Sequence, residues 1–113
     1  MTIFEKIAAR EIPADIVFED DECVAFRDTR PQAPVHVLIV PRRCIPRVAK
    51  ADAAKDALLL GKMLCATGEI ARRCGVADTG FRLVINNGRD AGESVPHLHI
   101  HLLAGRALHW PPG

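Results

Sequence analysis

The chain has 113 residues, of which 49% are hydrophobic and 26% charged, the composition of one soluble globular domain with room for its own core. A formal charge of +1 is nearly balanced and implies neither nucleic acid nor an acidic membrane surface as a bulk partner, and none is expected. No apolar run nears the roughly 20 residues that span a bilayer, and no basic-then-apolar leader opens the sequence, so the expected location is the cytoplasm. The cysteines Cys23, Cys44, Cys65 and Cys74 form no Cys-x-x-Cys pair, and reduced thiols are expected.

Thr2 and Glu5 form a Thr-x-x-Glu capping box ahead of an apolar stripe at Ile3, Phe4, Ile7 and Ala8. The spacing predicts a short first helix, stopped before Pro13, whose ring disfavours a helical Ile12. Ile16-Val17-Phe18 and Cys23-Val24-Ala25-Phe26 are β-rich runs joined by acidic Glu19-Asp20-Asp21-Glu22, which predicts a hairpin. Asp28 to Pro34 is a proline-punctuated loop. Val35 to Val40 is apolar except for His36 and ends at Pro41, the pattern of a central strand covered on both faces.

From about Asp52 to Cys74 the sequence predicts a long helix, with Leu60, Met63, Leu64, Thr67, Ala71 and Cys74 at the helical period. Asp52 is placed to cap its start and Gly75 to close its end in the left-handed conformation. Phe81 to Ile85 reads as a further strand, and Asn86-Asn87-Gly88 opens a polar loop that runs to Ser94. The tail from Gly105 to Gly113 is too rich in proline and glycine for regular structure. This order points to an α+β fold: one antiparallel sheet, the long helix on one face, and the last two strands paired like a hairpin.

The stretch Pro96-His97-Leu98-His99-Ile100-His101-Leu102-Leu103 holds three of the chain's five histidines at every second position. A strand over these residues puts Leu98, Ile100 and Leu102 on one face and His97, His99 and His101 on the other. Such a row suits metal binding, nucleophilic and acid–base chemistry near neutral pH, or a structural role. Storing three unpaired imidazoles without use is costly. In the preceding loop, Asn86, Gly88, Gly92, Glu93 and Ser94 supply donors and permit close backbone approach, which favours a phosphate over a metal.

The run from Pro96 to Leu103 resembles the His-φ-His-φ-His-φ-φ signature of the histidine-triad nucleotide-binding family. The resemblance extends over essentially the whole chain and is strongest to the Hint branch. It is carried also by Thr2–Ile7, Glu11–Ala14, Pro31–His36, Gly88–Val95 and the ending His109-Trp110-Pro111-Pro112-Gly113. It implies a single domain over residues 1–113 with the histidine-triad (HIT) fold. That fold has a five-stranded antiparallel sheet, one long and one short helix, and a sheet continued across a homodimer. The tail from 105 to 113 would form part of the dimer and active-site rim.

For function the resemblance implies a purine nucleoside phosphoramidase that cleaves adenosine 5′-phosphoramidates to AMP and an amine through a nucleotidyl-histidine intermediate. His99 matches the nucleophile. His101 and Ser94 match contacts to the phosphate and leaving group, with His101 the candidate proton donor, while His97 and His36 match supporting imidazoles. Ile3, Phe4, Ile7, Phe26 and Leu38 match the base pocket, with Thr29 at its edge, and Asp28 sits on the ribose hydroxyls. Asn86 and Gly92 match phosphate-side contacts, and Trp110 matches a tail residue reaching the partner's site. On the residues alone, Phe4, Ile7, Phe26 and Leu38 read first as core, Asp28 as a turn cap before Thr29 and Pro31, and Trp110 as an exposed anchor.

Thr2 and Glu5 occupy the places where some relatives carry a zinc-binding Cys-x-x-Cys, and Cys44 stands where many have histidine. No metal and no cofactor is therefore expected. The competing readings are a dinucleoside polyphosphate hydrolase, a metal hydrolase and a non-catalytic nucleotide-binding scaffold.

Overall fold

In the computed structural model, which describes residues 1–113, the first helix starts as the sequence requires. The Thr2 hydroxyl accepts from the Glu5 N–H at 3.1 Å and the Glu5 carboxylate accepts from the Thr2 N–H at 2.9 Å, closing the capping box. The helix, α1 (Ile3–Ala8), buries Phe4 and Ile7. It stops well before Pro13: Arg10 adopts φ 60°, and the Arg10 and Glu11 N–H groups return to the Ile7 and Lys6 carbonyls. A left-handed closing turn, and not the proline, ends α1.

Five strands form, the first four at the predicted positions: β1 (Ile16–Glu19), β2 (Cys23–Arg27), β3 (Val35–Pro41), β4 (Phe81–Val84) and β5 (Ile100–Ala104). They form one sheet in the order β1-β2-β3-β5-β4, every neighbour antiparallel. The acidic turn between β1 and β2 is held by Asp20, whose carboxylate accepts from the Glu22 and Cys23 N–H groups at 2.8 Å each. The apolar β3 takes the central place.

The long helix, α2 (Ala57–Arg73), begins later than the apolar period suggested. Asp52 caps a separate turn ahead of it, accepting from the Ala54 and Lys55 N–H groups at 2.8 Å each. Gly75 closes the other end at φ 73°, as expected. The inward stripe is Leu59, Met63, Thr67, Ile70 and Ala71, whereas Leu64 is 48% exposed. The period and most of its phase were legible, since Met63, Thr67 and Ala71 are buried and Leu60 and Cys74 pack against the core. Only one flank differs, with Leu59 and Ile70 buried and Leu64 exposed.

Period-two alternation sorts the strands onto two faces. Val37 and Ile39 of β3 join Ile100 and Leu102 of β5 under Met63 and Ile70 of α2. Val24, Phe26, Leu38 and Val40 point the other way and pack with Phe4 and Ile7 of α1. The strand expected over Pro96–Leu103 is shorter than predicted, for β5 begins only at Ile100. Pro96 has no N–H to give, His97 N–H turns back to the Val95 carbonyl at 2.8 Å, and Leu98 N–H bonds the Ile45 carbonyl at 2.6 Å. The sorting survives nonetheless, since Leu98, Ile100 and Leu102 all enter the α2-side core.

Candidate active site

Because α1 is only six residues long, it covers part of its face of the sheet and leaves a cavity of about 790 Å³. Ile3, Phe4 and Ile7 form one wall, Phe26 and Leu38 the floor, and Asp28 and Thr29 a polar edge. Ser94, His99 and His101 meet at the other end. Phe4 packs edge-on against His99 and His97, with ring centroids 5.0 and 5.8 Å apart. Of the other predicted site residues, His36 and His97 are buried and outside the cavity lining. Asn86 and Gly92 belong to the loop before the histidines, also outside the lining, and Trp110 is 82% exposed on the tail. Several lining residues had no sequence signal for this role, among them Ile12, Pro13, Asp15, Arg27, Arg30 and Val95. Ile12, Pro13 and Asp15 reach the cavity through the turn after α1, Arg27 and Arg30 from the end of β2 and just beyond it, and Val95 from the loop before the histidines.

The backbone fixes where each imidazole carries its proton, so the tautomers follow from the hydrogen-bond network. His99 Nδ1 lies 2.8 Å from the His97 carbonyl, which only accepts; Nδ1 is therefore protonated and Nε2 bears a lone pair. His36 Nδ1 accepts the Gln32 backbone N–H at 3.0 Å, so its proton sits on Nε2 and is donated to His101 Nδ1 at 2.9 Å. His101 in turn carries its proton on Nε2. His97 Nε2 donates to the Pro41 carbonyl at 2.8 Å, leaving Nδ1 to accept from the Thr2 hydroxyl at 2.8 Å.

Every fully buried side-chain nitrogen and oxygen has a partner. The Nε2 atoms of His99 and His101 have none within the chain and are therefore open to solvent. The His99 and His101 rings are 5.0 Å apart. One end of the cavity thus presents a nucleophilic lone pair beside an N–H donor.

Burial, then the neighbouring His99 and His36, push His101 down to about 4, so it is neutral near pH 7. Burial also lowers His36, opposed by Asp28, whose carboxylate lies 3.5 Å from His36 Nε2. His97 is lowered by the same desolvation.

The loop before the histidines is pinned by a contact the sequence did not reveal. Arg47 makes a two-point pair with Glu93, with both N···O distances 2.9 Å, and the same carboxylate accepts the Gly88 N–H at 3.0 Å. The Arg47 guanidinium, with the Gly88 N–H, holds Glu93 down at about 2. Glu93 therefore accepts rather than donates, and the Gly88 N–H is committed to it instead of to an anion. Arg47 and Glu93 lie 46 residues apart, so no local pattern announces the pair.

A family model for the HIT domain matches residues 9–108. The chain belongs to the HIT family. It is 54% identical over 112 residues to an uncharacterized HIT-like protein of Synechocystis, covering 99% of this chain and 96% of that one. It is 49% identical over 107 residues to the purine nucleoside phosphoramidase of Escherichia coli K12, covering 95% and 89%. Among solved structures it resembles a HIT family hydrolase from Legionella pneumophila Philadelphia 1, with TM-score 0.95, 44% identity and full coverage of both chains.

Two clusters in this HIT domain bring together metal-ligand types. In Asp28–His36–His101 the His36 proton occupies the atom that would have to ligate, and freeing it would leave both ring nitrogens as acceptors, so the cluster does not fit a cation. In Glu5–Cys44–His97 the donors are spent on hydrogen bonds: Glu5 takes the Thr2 N–H, His97 Nδ1 the Thr2 hydroxyl, and the Cys44 thiol donates to the Pro96 carbonyl at 3.4 Å. Burial, reinforced by Glu5, pushes the Cys44 thiol up, against the thiolate a metal needs.

Proposed function

We propose that this chain is a purine nucleoside phosphoramidase, releasing an amine and a nucleoside 5′-monophosphate from adenosine 5′-phosphoramidates and related substrates. The observation that carries the reading is the pair of unlike open nitrogens, a lone pair on His99 and an N–H on His101, beside a largely apolar cavity. A relative 49% identical bears the name of that activity.

In the proposed reaction His99 Nε2 attacks the α-phosphorus, forming a P–N bond to the ring as the P–N bond to the amine breaks. The His97 carbonyl, hydrogen-bonded to Nδ1–H, supports the positive charge that develops on His99. His101 Nε2–H hydrogen-bonds the departing nitrogen, which takes its proton from solvent through that contact. The water that releases AMP in the second step returns one proton to solvent, so that His101 stays neutral throughout. The His36 N–H donated to His101 Nδ1 steadies that exchange. Ser94 supplies a donor to the phosphate oxygens from the cavity lining and Asn86 one from the adjoining loop, whereas the Gly92 N–H expected there is spent on the Arg89 carbonyl at 3.0 Å.

Ile3, Phe4, Ile7, Phe26 and Leu38 take the purine, with Thr29 at its edge. Asp28 accepts from the ribose hydroxyls, its other oxygen already held by the Arg30 N–H at 2.8 Å. The scheme assigns no metal and no cofactor.

The reading includes a homodimer over the single domain 1–113. β4 is at a sheet edge and exposed Leu58, Leu64 and Ile85 are available for burial, while the 105–113 tail with Trp110 would close the partner's rim. Sedimentation at micromolar concentration checks it, and a monomer there removes the dimer from the account.

Turnover of an AMP–amine conjugate against a diadenosine polyphosphate tests the function. The conjugate is expected to be the better substrate by kcat/KM; preference for the dinucleotide would overturn the reading in favour of a polyphosphate hydrolase. Turnover of neither, with nucleotide still bound, would make the protein a scaffold. Activity lost to a chelator and restored by zinc would make it a metal hydrolase.

A further inference from the structure

We infer that Thr2 is a positioning residue for the nucleophile, its hydroxyl fixing His97 so that the His97 carbonyl aims His99 Nε2 into the cavity. The inference rests on His99 being the attacking group. His97 is fully buried, and its Nε2–H is committed to the Pro41 carbonyl. Its Nδ1 therefore requires a donor, and the Thr2 hydroxyl at 2.8 Å provides it. The hydroxyl oxygen is free to donate because the bond it makes within α1, from the Glu5 N–H, uses it as an acceptor.

What the ring anchors hold in place is the peptide group that matters. His97 lies outside β5, so no ladder bond fixes its carbonyl. That carbonyl is the group bonded to His99 Nδ1–H. Thr2 is thus two hydrogen bonds and one residue away from the proposed nucleophile, although 95 positions separate it from His97 in sequence. The same hydroxyl caps the helix whose Phe4 packs edge-on against both rings. One atom thereby ties the wall of the nucleoside cavity to the orientation of the nucleophile.

The groups facing the His97 ring are Glu5, Cys44 and His99. The Cys44 thiol is the only other donor among them able to replace the Thr2 hydroxyl, so the test is run in a Cys44→Ala background.

Two substitutions separate the donor from the cap. Thr2→Ser keeps both. Thr2→Gly keeps much of the N-cap, since glycine is tolerated at that position, but offers His97 Nδ1 no hydrogen-bonding group at all. Serine is expected to retain parental kcat. Glycine is expected to lower kcat about tenfold or more, the scale of one lost positioning hydrogen bond, with KM for an AMP–amine conjugate nearly unchanged. Its thermal midpoint should stay close to that of the serine variant.

Nitrogen-15 NMR of the unsubstituted protein adds a reading independent of any variant: His97 should show an unprotonated Nδ1 and a protonated Nε2. The inference is overturned by a protonated Nδ1 there, by parental kcat in Thr2→Gly, or by a rise in KM with kcat unchanged, which is the mark of a cap alone. His99→Asn run alongside separates the two levels. If it keeps turnover, the function itself is wrong; if it is inactive while Thr2→Gly keeps parental kcat, only the role of Thr2 fails.

Discussion

The two faces of the sheet are built from the same alternating strands and put to opposite ends. On the α2 side, 14 buried apolar residues close over one another beneath a 17-residue helix, and the hydroxyl of Thr67 in its inward stripe is spent on the Leu64 carbonyl. On the α1 side, six apolar residues share the face with four imidazoles, and a six-residue helix leaves a cavity. A long amphipathic helix can seal a sheet face; a single turn and a half cannot, and the uncovered part is where polar side chains find both solvent and strand-end backbone groups. His36, His97 and His99 are each held by a backbone N–H or carbonyl at a strand end or beyond it. Burial of these rings therefore does not leave them unsatisfied.

The sharpest way to break this division is at the imidazole face. His99→Asn is expected to cost roughly 10³-fold or more in turnover, as loss of a nucleophile does, while leaving nucleotide binding and the melting temperature near those of the parent. Full activity in that variant would refute a catalytic α1 face.

Neighbouring residues of β3 supply the next test, because Leu38 and Ile39 point to opposite faces. Ile39→Ala should destabilise by about 2–5 kcal/mol in denaturant titration without changing kcat of the folded enzyme. Leu38→Ala should cost less stability and show itself as a raised KM. Equal losses of stability with unchanged KM would show that the cavity is only a packing defect.

Much of this contrast was legible in the sequence. The capping box at Thr2 and Glu5, the hairpin, the central strand and the two-face sorting around the histidines are all local patterns, and local patterns survive folding. What was not legible is long-range. One flank of the α2 stripe was set by which of several leucines met the sheet, Leu59 and not Leu64. The regular part of β5 was cut short by Pro96 and by the Ile45 carbonyl, which no spacing announces. At the site, the histidine types and their row could be read, but their protons could not. Those depend on Gln32 N–H, Pro41 carbonyl and Thr2 hydroxyl, each brought in from a distant part of the chain or from a neighbouring turn.

A smaller effect is expected from the loop lock. Glu93→Ala should lower kcat/KM for an AMP–amine conjugate by less than His99→Asn does, because it frees the loop carrying Ser94 without removing a reacting group. Since Glu93 titrates only at about 2, the Arg47 contact contributes fully above the ordinary glutamate range and is lost only as pH falls through that low value. The wild-type loop should therefore be insensitive to pH between 5 and 8, to be checked by hydrogen exchange at residues 86–94. A protection change across that window would contradict the pair.

The smallest effect is on stability against pH. His101 is lowered to about 4, and His36 and His97 are lowered by burial, so the unfolded chain binds more protons than the folded one as pH falls from about 6.5. Stability held above about 6.5 should decline toward pH 4. Melting temperature should fall less steeply over that range in His101→Gln than in the parent; parallel slopes would contradict a neutral, buried His101.

The most direct test of the central claim is to trap the intermediate. The protein would be mixed with a slowly released AMP–amine conjugate, quenched under conditions that preserve P–N bonds, and mapped by mass spectrometry. The account predicts an AMP adduct on His99 and none in His99→Asn. An adduct on another histidine, or amine released in a burst with no adduct at all, would contradict it.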